Sequence, residues 1–177
     1  MRTNQPTAIA TTIPFTDIRA YIFAAAFIIG NILLPQLCHL IPQGGLIFLP
    51  IYFFTLIGAY RYGWQVGILT AVGSPIINSW LFGMPPAPAL PAILLKSVAL
   101  ALAAAYISRK RGGRVSIGAL ALVILAYQAV GMAAEYLAAD LQHALQDVRL
   151  GYPGLLVQLF GGFLVLRWLE KINAPER

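Results

Sequence analysis

Charge is what this sequence has least of. Only 10% of its 177 residues are Asp, Glu, Lys or Arg, where an average soluble domain carries about 25%. Of its six acidic residues only Glu135 falls where a membrane site is expected, and no two of them pair inside an apolar stretch. The HExxH, GxSxG and Walker A patterns are all missing, which excludes the familiar metalloprotease, hydrolase and P-loop routes and gives no sign of an enzyme. A single cysteine, Cys38, excludes an intramolecular disulfide. Proton pumping needs a relay of intramembrane acids, and Glu135 is the one candidate.

Apolar surface is what the chain has in excess. It is 59% hydrophobic, with mean hydropathy +0.77. A water-soluble fold of this size cannot bury that much, so lipid is the expected solvent, and several windows approach the ~20 apolar residues that a bilayer span requires. The expected fold is all-α and polytopic, with six transmembrane helices. A polar tail over residues 1–17 precedes a membrane domain over 18–169, and a charged tail covers 170–177. The first apolar run outlasts a signal-peptide core, so it is expected to remain as a span.

In chain order, the expected spans are Ile18 to Leu37, Gly45 to Tyr60, Gly63 to Phe82, Ala89 to Ile107, Val115 to Tyr136 and Tyr152 to Leu169. The second is short, and the loop before it is expected to dip into the membrane. The third carries Gly63, Gly67, Ala71, Ser74 and Asn78 at helical spacing, so this small, polar stripe should face protein. Pro75 should bend its outer half. Ala92, Lys96, Ala99 and Ala103 share a face of the fourth span, and Gln128 and Glu135 share one of the fifth. The segment Leu137 to Leu150, with Asp140, His143 and Asp147, suits an interfacial helix.

The net charge of +6 does not require a nucleic-acid partner, because its placement has a simpler reading. With six spans the termini share one side. Ten of the twelve basic residues then fall on that side: Arg2, Arg19, Arg61, Arg109, Lys110, Arg111, Arg114, Arg167, Lys171 and Arg177. Arg149 alone falls opposite, and Lys96 lies within a span. The positive-inside rule makes both termini cytoplasmic.

The polar residues then gather toward the outer side. Lys96 sits five residues into its span, roughly 7–8 Å deep at ~1.5 Å per residue. Three readings stand: it holds a ligand, it snorkels to the interface, or it pairs with Glu135 at similar depth. Asn78 and Ser74 either meet a ligand or join helices by hydrogen bonds. Cys38 and His39 stand beside Gln43-Gly44-Gly45. Thiolate and imidazole bind borderline metals, but two donors are too few for a closed zinc site. The two loops around His39–Leu46 and Gly83–Pro88 are expected to form the mouth of a pocket.

This organisation resembles the substrate-binding (S) component of energy-coupling factor transporters, the vitamin-uptake family. The resemblance spans nearly the whole chain and is strongest in LPIYFFTLIGAYRYGWQVGILTAVGS, from Leu49 to Ser74, where a proline-led short span turns through a glycine-spaced segment into a third helix. Ala20 and Ala24 are similar to the family's Ala-x-x-x-Ala motif, which packs against the coupling subunit. The resemblance implies an S-component-like bundle in a bacterial inner (cytoplasmic) membrane. It implies capture of a vitamin or related micronutrient in an outward-facing pocket, with reorientation driven by a separate transmembrane coupling protein and ATPase subunits. His39, Gln43, Asn78, Trp80, Lys96 and Glu135 would contact the substrate. Some cobalamin members ligate cobalt through Cys or His, so Cys38 or His39 would be the axial ligand if the substrate is cobalamin. No resident cofactor is implied.

The main alternative is a membrane scaffold or assembly protein without a ligand, in which Lys96 simply pairs with Glu135 and no cavity remains. A membrane-embedded enzyme acting on lipid is disfavoured by the missing acid pairs and nucleophile–base sets.

Overall fold

A computed structural model describes residues 12–138 and 144–172. Asp140 and His143 of the expected interfacial helix therefore lie outside the described residues, as do residues 1–11 and 173–177. Among the described residues all regular structure is helical: α1 (Ile18–Cys38), α2 (Gly44–Phe48), α3 (Phe53–Tyr62), α4 (Trp64–Phe82), α5 (Leu90–Lys110), α6 (Ile117–Ala138), α7 (Gln146–Arg149), α8 (Tyr152–Leu156) and α9 (Gly162–Ile172). Among the described residues three helices are long and apolar enough to cross a membrane: Ile18–Cys38, Ala87–Lys110 and Ile117–Leu137. Their outward faces are apolar, with Ile22, Ile29, Leu33, Leu95, Leu102, Leu122 and Leu125 all exposed. Burial in lipid is the physical setting in which such surface is stable.

The other expected spans are less regular. The third is the 19-residue α4, and its stripe of Gly67, Ala71, Ser74 and Asn78 is buried as the spacing predicts. The second breaks into α2, a 3-10 turn over Pro50–Tyr52, and α3. The break lies at Leu49, a non-glycine residue with φ 47°, and Gln43 at the other end of α2 has φ 58°. Such left-handed residues are costly for a branched side chain and need surrounding structure to hold them. The last expected span is helical without a break over residues 152–172, with a π turn over Val157–Gly161 between α8 and α9.

Short as it is, α3 forms the axle of the bundle. Six consecutive residues, Thr55 to Tyr60, are buried, because α1, α4, α5 and α9 all pack around it. Small residues make that crowding possible. A Cβ on Gly67 would stand 2.6 Å from the Ala59 Cβ and 3.1 Å from the Ala101 Cβ, so α3, α4 and α5 meet almost backbone to backbone. At one end of the axle, the Ser108 hydroxyl donates to the Tyr60 carbonyl (2.6 Å) and the Tyr60 hydroxyl donates to the Arg114 carbonyl (2.9 Å). Glu170 accepts from the Val115 amide (2.8 Å) and pairs with Arg167 (3.3 Å). The expected C-terminal tail thus begins as helix: α9 runs to Ile172.

At the start of α1, Asp17 caps the helix by accepting from the Arg19 amide at 2.9 Å. The Arg19 side chain also donates to it, and that bond first, then the amide, holds the Asp17 carboxyl below its ordinary range. The cap's stabilisation is present above the ordinary carboxylate pKa and is lost only as pH falls through the lowered one. Just before it, Ile13 is buried with Ala20, Ala24 and Val66, and its amide donates to the Tyr62 carbonyl at 3.1 Å.

The turn from α1 into α2 is equally tight. A Cβ on Gly44 would overlap the Cys38 carbonyl, and one on Gly45 would stand 2.7 Å from the His39 imidazole. The imidazole can swing away, but the Cys38 backbone cannot. Gly44→Ala is therefore expected to destabilise the protein by about 3 kcal/mol, the upper end of overpacking costs, while Gly45→Ala changes little. Thermal unfolding in detergent checks this order, and equal midpoints would refute it.

Candidate functional site

Two polar assemblies lie inside this apolar bundle. The first joins α1, α3 and α4 around Asn31. Its side-chain amide donates to the Thr55 hydroxyl (3.0 Å) and the Ser74 hydroxyl (3.1 Å). Its carbonyl oxygen accepts from the Phe54 amide at 3.1 Å. Phe54 is in the first turn of α3, where amides have no intrahelical partner, so Asn31 caps one helix from another. Pro35 explains the rest. Having no N–H, it leaves the main-chain carbonyl of Asn31 without its helical donor. Asn78 supplies the missing one at 2.9 Å and also donates to the Ser74 carbonyl at 3.2 Å. These bonds commit Asn31, Ser74 and the Asn78 amide nitrogen to holding helices together.

The second assembly joins α5, α6 and the π turn. Lys96 is 3% exposed at its side chain and Glu135 19%, and they form an ion pair of 2.6 Å. The stem of Lys96 lies in a notch left by Gly131: a Cβ there would overlap Lys96 Cε and stand 2.6 Å from Cγ. Gln128, Gly131 and Glu135 follow one face of α6 at helical spacing. Beside Gln128, the Tyr127 hydroxyl donates to Gln158 Oε1 at 2.9 Å. Gln158 belongs to the π turn, a type of distortion frequent at functional sites.

This second assembly is unlike the first in its unmet hydrogen bonds. Ser97 Oγ, both amide atoms of Gln128, Glu135 Oε2 and Gln158 Nε2 are buried and have no partner in the protein. Each such atom in hydrocarbon surroundings costs about 1–3 kcal/mol, and buried polar groups as a rule do find partners. Gln36 Nε2, Arg61 Nε and Gln65 Oε1 are likewise unpartnered elsewhere, so five of the eight such atoms among the described residues fall on Ser97, Gln128, Glu135 and Gln158.

The expected site residues are only partly brought together. Lys96 and Glu135 meet, while Asn78 belongs to the Asn31 network. Trp80 is 83% exposed, and His39 and Gln43 are exposed at the α1–α2 turn, so these three lie on the outside of the chain and not with the buried pair. Cys38 is half-buried beside His39. Ala20 and Ala24 face inward, 0% and 3% exposed, against Ile13 and Val66. The small-residue pair is thus used within the chain, and α1 presents Tyr21, Ile22, Ile29 and Leu33 outward instead. An apolar groove of about 380 Å³ between α5 and α6 is lined by Leu95, Ala99, Leu102 and Val130 among others. Its walls offer nothing polar to a micronutrient.

Sequence reasoning passed over Thr55, Ser97, Tyr127, Gly131 and Gln158, and placed Asn31 only in the small-residue row of the first span with Ala20 and Ala24. One signal was available: Asn31 lies four residues before Pro35, where a carbonyl must lose its helical donor. Nothing local marks Gln158, whose inward position depends on the π turn. No family model, curated protein or solved structure matches this chain.

Proposed function

We propose that this chain is the substrate-binding membrane subunit of an energy-coupling factor type importer. In this reading six passes cross a bacterial inner membrane with both termini cytoplasmic. The chain captures a vitamin or related micronutrient from outside, and a separate coupling protein with ATPases drives release inward. The resemblance over Leu49 to Ser74 supports it, as do the one-sided basic residues and the missing nucleotide-binding motif. The observation that carries it is the set of buried, unpartnered polar atoms on Ser97, Gln128, Glu135 and Gln158, along the helices that hold the Lys96–Glu135 pair. Cobalamin, through Cys38 or His39, is one substrate within this reading, and the exposed His39 imidazole is accessible to it.

The second reading is the ligand-free scaffold, and specific observations favour it. It expects Lys96 to pair with Glu135, as it does, and the Asn31 network is wholly structural. The two differ in one measurable respect. Native mass spectrometry and an absorption scan of protein purified from membranes in mild detergent should reveal one small molecule, released on denaturation. A ligand-free spectrum from protein that is folded and monodisperse would leave the scaffold.

A further inference from the structure

The unmet hydrogen bonds of the second assembly specify a ligand chemistry. Gln128 is 5% exposed and Gln158 1%. The unpartnered donors are Gln128 Nε2, Gln158 Nε2 and the Ser97 hydroxyl, and the unpartnered acceptors are Gln128 Oε1 and Glu135 Oε2. A carboxylate or phosphate could satisfy the donors but would leave Gln128 Oε1 facing an acceptor. An ammonium would satisfy the acceptors and oppose the donors. Lys96 and Glu135 already offset each other at 2.6 Å, so this pair offers no spare counterion to an added ion. A neutral group that offers a donor and an acceptor side by side meets both needs, because Gln128 presents the matching pair at one amide.

We propose that Gln128 binds an uncharged amide-type edge, such as a lactam, cyclic imide or carboxamide, on the transported molecule. This inference rests on the binding-subunit reading above and names the substrate class for it. Access follows from the notch at Gly131. The Lys96 stem fills it, and Gln128 lies three residues further along α6, about one helical turn or ~4.5 Å. A route to the Gln128 amide would open there only when the Lys96 stem leaves Gly131. Lys96 is then a positioning residue, and Gln128 the one that touches the ligand.

Thermal shift in detergent against matched probes tests this. Benzamide and uracil supply the neutral edge, benzoate the same ring as an anion, and benzylamine the same ring as a cation. Benzamide and uracil at millimolar concentration are expected to raise the unfolding midpoint by several degrees and the two ions to leave it unchanged. Gln128→Met, close in volume and without the amide, should abolish the shift while the unliganded midpoint stays or rises. If Gln128→Met does not fold, Gln158→Met is expected to weaken binding at least fivefold by isothermal titration. A larger shift with benzoate or benzylamine, or an unchanged benzamide shift in the variants, overturns the amide-edge assignment and spares the binding-subunit reading. No shift from any probe, together with no molecule released from purified protein, overturns both.

Discussion

Glu135→Leu is expected to destabilise the protein by about 3–5 kcal/mol, the cost of removing one partner from a buried ion pair. Lys96→Met should cost less, about 1–3 kcal/mol. The asymmetry comes from exposure. Lys96 is 3% exposed and Glu135 19%, so the carboxylate left by Lys96→Met keeps some contact with a polar surrounding, while Glu135→Leu takes a 2.6 Å partner from the ammonium where solvent reaches it least. Snorkelling of the lysine stem limits the penalty, but the stem is seated on Gly131 and must leave that contact to reach the interface. The double variant Lys96→Met, Glu135→Leu removes both charges together and should recover most of the lost stability, since well-packed apolar pairs often equal buried ion pairs. Reversible unfolding in mixed detergent micelles measures all four proteins. If the single variants are equal and the double variant is their sum, the pair carries no coupling energy. The double variant also separates the two functional readings. A scaffold keeps its fold and its role, whereas a binding subunit keeps its fold and loses its small molecule.

Asn31→Ala should be the most damaging change in the other assembly, at about 2–3 kcal/mol for three side-chain hydrogen bonds lost and donors left buried. The Phe54 amide has no second acceptor within its own helix, because α3 has only begun there. Thr55 retains a long bond to the Ile51 carbonyl at 3.5 Å, which reduces its share. Asn78→Leu should cost about 1 kcal/mol, nearer the usual value for hydrogen bonds between membrane helices, because it strands only the Asn31 carbonyl and removes a bond made within α4. The same unfolding experiment ranks them, and an Asn31→Ala protein as stable as Asn78→Leu would remove Asn31 from the centre of the network. Hydrogen exchange at the Phe54 amide gives a local readout: it should accelerate in Asn31→Ala and remain slow in Asn78→Leu.

How far the fold was legible differs by element. The α4 stripe could be read directly, because Gly67, Ala71, Ser74 and Asn78 recur at helical spacing and only one side of a helix can face protein. For the fourth span, spacing put Ala92, Lys96, Ala99 and Ala103 on one face without saying what that face meets, and the buried residues are Lys96, Ser97, Leu100, Ala101, Ala104, Ile107 and Ser108. Lys96 belongs to both sets. Alanines mark no direction, since they are accepted equally by protein and lipid, so the rotation of α5 had to come from its neighbours. Among the site residues, Lys96 and Glu135 were legible through matched depth. Trp80, His39 and Gln43 were drawn in by chemical type, and an aromatic or imidazole near a helix end is as well suited to an interface as to a pocket.

The amino-acid order by itself determined the excess of apolar surface, the helical class and the inward face of α4. Each is a property of composition or of a short repeating pattern, which any neighbouring helix must accept. Only the tertiary structure decided that a ten-residue helix stands at the centre, that Asn31 caps it across a helix gap, and that Gln128 and Gln158 are buried with bonds unmade. Those facts depend on which helix meets which, and no local period encodes the identity of the neighbour.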